Sequence, residues 1–182
     1  MKKLLTLLLA ILIITTIFAQ KRDITLDDLW QNYTFYPSYI GGFNSMNDGE
    51  YYSTIEKTEK GQEIIKHQFK DGKKVRTLFS SADFDIQRIN NYTFSDDEKQ
   101  LLLSTETEKI YRHSSKSAYY IYNVFTDKLK KLTDDKVMYA TFSPNGEKVA
   151  YVFDNNLYIK NIRSEKITQV TTDGKKNHII NG

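Results

Sequence analysis

Apolar residues fall into three patterns along this chain. Residues 4–18 are an apolar run interrupted only by Thr6, Thr15 and Thr16. A stretch with helical spacing follows over 23–32, where Leu26, Leu29 and Trp30 share a face, Thr25 is a cap and Asp27 and Asp28 sit at the positive end. From Gly42 onward, short apolar and aromatic runs alternate with turn residues; the expected strands are 51–55, 63–69, 74–79, 101–105, 118–125, 129–133, 149–153, 156–162 and 167–171, and a strand before the turn, as in 137–142, brings each unit to four. Several are apolar on both faces, as happens when sheets stack face to face.

The turns repeat. Phe94-Ser95-Asp96-Asp97-Glu98-Lys99 matches Phe142-Ser143-Pro144-Asn145-Gly146-Glu147 at an offset of 48 positions (142 minus 94), and Met46-Asn47-Asp48-Gly49-Glu50 is a weaker copy upstream. Asp-Gly and Asn-Gly supply the positive φ that tight turns need. Four short strands per unit at a period of about 40 to 50 residues mark propeller blades. The fold class expected is all-β, a partial β-propeller of about three four-stranded blades over 42–88, 89–136 and 137–182. Propellers close with about four to eight blades. This array therefore reads as the front portion of a longer protein, with one blade face and several edges left open, a recipe for poor solubility in isolation.

The start of the chain has a different character. Lys2 and Lys3, the apolar run and Ala19 form a signal peptide over 1–19 with cleavage expected after Ala19, which directs the chain to the periplasm or the exterior. The run is shorter than the roughly 20 residues that span a bilayer. Residues 20–41 are an N-terminal segment whose short helix is expected to pack on the propeller's side. The chain has no cysteine, so neither a disulfide nor a lipid-bearing N-terminal cysteine is encoded, and stability must come from burial and strand pairing. Without Lys2 and Lys3, the 26 Lys and Arg fall to 24 against 23 Asp and Glu, a net charge of +1. Interspersed charge such as Glu56-Lys57-Thr58-Glu59-Lys60 argues against nucleic acid as a partner, which needs basic residues gathered on one face.

Catalytic motifs are missing. None of the glycines opens a Gly-x-Ser-x-Gly nucleophile turn, and Asp71-Gly72-Lys73-Lys74 lacks the glycine of a phosphate loop. His67, His113 and His178 are far apart in sequence, so no metal and no cofactor is assigned. Tyr119, Tyr120 and Tyr122 suit either a pocket or inter-blade packing, with packing favoured for aromatic strand residues. Asn32-Tyr33-Thr34 and Asn91-Tyr92-Thr93 fit the short N-glycosylation pattern.

The candidate binding residue is Arg112, directly before a strand in Tyr111-Arg112-His113-Ser114. One reading is a surface arginine in a loop of the second blade; the other is a forked donor to a substrate carbonyl or carboxylate. The order and spacing of Tyr111 to Ser114, Ala118-Tyr119-Tyr120-Ile121-Tyr122, the run from Phe142 to Val152, Asn155 to Lys160, and Thr171-Thr172-Asp173-Gly174-Lys175-Lys176-Asn177 with Ile179-Ile180-Asn181-Gly182 resemble the N-terminal propeller of the dipeptidyl peptidase IV family. That resemblance implies a ring of about eight blades, capping a C-terminal α/β-hydrolase domain in an exported serine exopeptidase that releases N-terminal Xaa-Pro or Xaa-Ala dipeptides, with a homodimer of the full-length protein as a further expectation. It gives Arg112 a role in binding the peptide substrate near its N terminus. It also puts the paired glutamates and the catalytic triad beyond these residues, so the chain alone is expected to be inactive. The competing class is a non-catalytic periplasmic TolB-like propeller that binds proteins; the Arg112 segment and the Asn-Gly ending favour the peptidase.

Overall fold

The computed structural model describes residues 22–37 and 42–181, and the signal peptide expected over 1–19 lies outside them. The chain divides into two compact units, Met1–Tyr39 and Ile40–Gly182. In the first, helix α1 (Leu26–Trp30) starts at a capping box: Asp28 N–H donates to Thr25 Oγ1 at 3.2 Å and Thr25 N–H donates to Asp28 Oδ2 at 3.0 Å. Arg22 also pairs with Asp28. The hydroxyl and N–H of Thr25, with Arg22 behind them, hold the Asp28 carboxyl below the usual carboxylate range. The helix is shorter than the expected 23–32: Thr25 caps it at its start and it ends at Trp30, with Gln31 as C-cap.

The second unit holds three antiparallel sheets of four strands. The first contains β1 (Asn44–Ser45), β2 (Tyr51–Thr58), β3 (Gly61–Gln68) and β4 (Lys74–Ser80); the second β5 (Ile89–Phe94), β6 (Gln100–Lys109), β7 (Ser115–Asn123) and β8 (Lys128–Lys131); the third β9 (Met138–Phe142), β10 (Lys148–Phe153), β11 (Asn156–Asn161) and β12 (Ile167–Gln169). Consecutive strands pair throughout, so each sheet is an up-and-down meander, the form of a propeller blade. The all-β, partial-propeller expectation holds. Of the outer strands, β1 and β12 are only two and three residues long, and Lys74 on β4 and Lys128, Lys130 and Lys131 on β8 discourage edge-to-edge pairing there.

The repeated turns are three copies of one device. Gly49, Glu98 and Gly146 occupy its left-handed position at φ 69°, 56° and 67°. One residue earlier, Asp48, Asp97 and Asn145 turn a side-chain oxygen onto the backbone N–H of Glu50, Lys99 and Glu147, at 3.0, 3.2 and 3.2 Å. Successive turns also bond to one another: Asn47 N–H reaches Glu98 Oε1 at 2.6 Å, and Gln100 Nε2 donates to Gly146 O at 2.9 Å.

The core lies between blades rather than within them. On β6, Leu101 and Leu103 (both 0 % exposed) pack toward the first blade with Ile64, Phe79 and Tyr92, while Leu102 (2 % exposed) packs toward the third with Ile121, Val149 and Tyr151. Alternate side chains point to opposite faces, so a strand sandwiched by two blades must be apolar on both. Polar groups stitch the same junctions. Tyr92 Oη donates to Gly42 O at 2.7 Å and accepts from Ser53 Oγ at 2.7 Å; burial pushes this phenol's pKa up. Ile89 N–H donates to Gln62 Oε1 at 2.7 Å, and Lys160 Nζ donates to Leu132 O at 2.7 Å.

Two outcomes test this account. Leu102→Ala and Leu103→Ala should each lower the unfolding free energy by about 3 kcal/mol in urea titrations, although they sit at different junctions; loss from only one would show that the core is confined to one junction. The Ser95 hydroxyl, followed by Lys99, holds the Asp97 carboxyl below its usual range. A depressed carboxyl stabilises the fold above its unfolded pKa of about 3.9, and that contribution is lost as pH falls through the folded value. Asp97→Asn, which copies Asn145 in the third blade, should therefore lose that contribution at neutral pH and flatten the acid limb of the stability profile below about pH 4, so that variant and wild type converge in acid.

Candidate functional site

Beyond Thr105, strands β6 and β7 run on as a narrow arm. Thr105 pairs with Ala118, but the next paired positions are Glu108 with Lys116 and Lys109 with Ser115. Glu106 and Thr107 thus oppose Ser117 alone, a β-bulge with Glu106 at φ 48°. Thr107 N–H donates to Asn90 Oδ1 at 3.2 Å, its hydroxyl meets Ser117 Oγ at 2.7 Å, and Ser117 exchanges two 2.9 Å backbone bonds with Val137. Strand β6 therefore ends four residues later than the expected 105, and β9 starts at Met138 because Val137 is engaged by the arm.

At the tip, Ile110 and Tyr111 donate backbone N–H groups to Ser114 O at 2.9 and 3.2 Å. Arg112 sits in this closed turn, three residues ahead of β7 rather than directly before it, and is exposed. Its guanidinium makes no hydrogen bond or ion pair with any described residue.

The arm borders a cavity of about 460 Å³. Ile110 and Lys116 line it from the arm, Met138 and Val152 from the third blade, and Lys176 and Ile180 from the segment after β12. That segment is held by the turn between β10 and β11, where Asp154 and Asn155 are both left-handed, at φ 44° and 60°. Asn156, 8 % exposed, accepts from Gly174 N–H at 2.9 Å and Thr171 Oγ1 at 3.2 Å and donates to Asp154 O at 3.1 Å. Asn181 N–H donates to Asn155 O at 3.1 Å. A Cβ at Gly174 would lie 2.3 Å from Asn155 O, so only glycine fits there. These anchors went unnoticed in the sequence; the Asp-Asn-Asn between two apolar runs was their available signal.

Electrostatics at the bulge are those of a compact four-charge group. Lys136 Nζ lies 2.7 Å from Glu108 Oε1 and 3.3 Å from Glu106 Oε2, and Lys116 Nζ lies 3.1 Å from Glu108 Oε2. Lys136 and then Lys116 hold the Glu108 carboxyl below its usual range, and Glu108 holds the Lys136 ammonium above its own.

The histidines fall on different elements. His67 is buried in the first blade, its Nε2 2.8 Å from Glu56 Oε1, its Nδ1 3.3 Å from Gly72 O and its ring stacked on Tyr52. His113 sits in the arm's turn and His178 in the segment after β12. Among the described residues, no group of three His, Asp or Glu side chains is placed to hold a metal ion. Tyr119, Tyr120 and Tyr122 fill inter-blade space; Tyr122 meets Phe79 edge-on at 4.9 Å and donates to Asp127 Oδ1 at 2.6 Å.

Residues 95–182 match the family model described as dipeptidyl peptidase IV (DPP IV) N-terminal region. The crystal structure of Porphyromonas gingivalis dipeptidyl peptidase 4 superposes with a TM-score of 0.72 at 37 % identity, covering 85 % of this chain and 22 % of that one. The human prolyl endopeptidase FAP is 26 % identical over 88 % of this chain and 20 % of its own length, and dipeptidyl peptidase 4 of Felis catus is 36 % identical over 52 % of this chain and 12 % of its own. TolB from Acinetobacter baumannii, at 17 % identity and a TM-score of 0.50 over 75 % of this chain and 33 % of that one, shares the fold alone. The chain spans about a fifth or less of the length of these curated relatives. Residues 95–182 are thus similar to the N-terminal region of the dipeptidyl peptidase IV family, the resemblance that the motifs from Arg112 onward implied.

Asn156→Ala should release residues 171–181, seen as faster tryptic cleavage at Lys175 and Lys176 and a stability loss of about 1–3 kcal/mol from the unpaired groups left behind. An unchanged cleavage rate would show that the segment is held by other contacts.

Proposed function

We propose that this chain is the N-terminal propeller portion of an exported serine-type exopeptidase that removes dipeptides from peptide N termini, with Xaa-Pro and Xaa-Ala as the preferred leaving units. In this reading, Arg112 binds the substrate backbone near its free N terminus. The observation that carries it is the state of that arginine: a guanidinium with no partner among the described residues, presented on a closed turn whose arm borders a cavity. A planar guanidinium donates two parallel hydrogen bonds to a carbonyl or carboxylate, which fixes orientation as well as position. The family match supports the assignment because it covers Arg112 and the segment lining the opposite wall of the cavity.

The division of labour follows from what these residues contain. In this reading the nucleophile and its partners, for which these residues hold no Gly-x-Ser-x-Gly, and the carboxylates that would pair with the substrate's α-ammonium belong to other residues of the protein. The propeller's share is to admit narrow, unfolded peptide ends and to orient them before hydrolysis.

Arg112→Ala in the full-length protein should lower kcat/KM for dipeptide release by about 10- to 100-fold, mainly through KM, and Arg112→Lys should restore only part of it. An unchanged KM removes Arg112 from the site. Absence of any dipeptide release from the wild-type protein would instead favour a binding-only propeller. Export is checked separately: the mature protein should begin at Gln20, as read by N-terminal sequencing.

A further inference from the structure

The arm that carries Arg112 has little to hold it in one direction. Past the bulge, only two residue pairs join its strands, Glu108 with Lys116 and Lys109 with Ser115, and a two-stranded ribbon of that length is marginal in water. The direction of the arm is therefore decided at the bulge. Lys136, in the connection between β8 and β9, spans it, bonding Glu106 on one side of Thr107 and Glu108 on the other, at 3.3 and 2.7 Å. Its own backbone cannot drift, because the neighbouring Val137 is tied to Ser117 opposite the bulge by two 2.9 Å bonds.

We propose that Lys136 is a positioning residue that fixes the Arg112 arm by neutralising Glu106 and Glu108 across the bulge, so that the entry into the third blade sets the direction of the arginine on the second. This rests on the reading of Arg112 as a substrate ligand. Without Lys136, two carboxylates a residue apart would face each other with Lys116 alone to offset them, and the bulge would open to separate them. The Lys136 side chain is only 27 % exposed, so its pairs are less screened than those of a free surface lysine.

The test uses the full-length protein with Lys136→Met, Lys136→Arg, Arg112→Ala and the Lys136→Met/Arg112→Ala double variant. Lys136→Met should raise KM for dipeptide release about fivefold with kcat kept, and Lys136→Arg should return it to within about twofold. In the Arg112→Ala background, Lys136→Met should add nothing, because its effect passes through the arginine. Amide hydrogen exchange over residues 108–116 should rise in Lys136→Met. Unchanged exchange and KM in Lys136→Met overturn the proposal, as does a KM loss of equal size in both arginine backgrounds. If Arg112→Ala alone leaves KM intact, the reading of Arg112 is what fails; exchange over 108–116 then decides separately whether Lys136 holds the arm.

Discussion

Everything in the propeller portion depends on burying the middle blade from both sides. No single four-stranded meander here has a core of its own: Leu101 and Leu103 need the first blade, and Leu102 needs the third. A strand inside a lone sheet could leave one face polar, whereas β6 cannot, and that requirement explains three consecutive leucines where simple alternation would have placed one polar residue. Stability in such an array is a sum of junctions. The polar bonds that cross the junctions, from Tyr92, Gln62, Gln100 and Lys160, add direction to what hydrophobic contact supplies without direction.

Once the blades are stacked, their turns must be stacked as well, and the repeated turn has been shaped for it. Gly49 and Gly146 give the left-handed residue at no steric cost, but the second blade places Glu98 there, at φ 56°. Its side chain accepts the Asn47 N–H of the preceding turn. A glycine in that position would relax the backbone and lose the inter-blade contact. The strain and the bond thus belong to one residue, and the departure from the repeat has a local physical reason.

Local pattern carried the blades but not the site. The strand runs, the turns and the Thr25 cap depend on neighbours within a few residues, and these were legible. The bulge at Glu106, the bracing of Thr107 by Asn90 and of Ser117 by Val137, and the hold of Asn156 on Gly174 join residues 10 to 20 positions apart, and no periodicity marks them. Arg112 was legible only through the motif around it. Its placement three residues from β7, on an arm longer than the apolar run suggested, came from pairing of polar residues such as Glu108 with Lys116, which hydrophobic pattern cannot register.

In the proposed reading Arg112 keeps its guanidinium free for a ligand, and an unpaired exposed arginine has no packing of its own to orient it. Orientation must then come from what surrounds its loop. Here it comes from three directions: Ser114 closes the turn, Asn90 reaches from the first strand of the same blade, and Lys136 and Val137 reach from the connection into the next. The last of these depends on the blades being stacked in register. The same junctions that bury the leucines therefore also aim the guanidinium. If the proposed role of Arg112 holds, a change that loosens the packing between the second and third blades weakens ligand binding before it unfolds the chain, because the arm has fewer contacts to lose than the core.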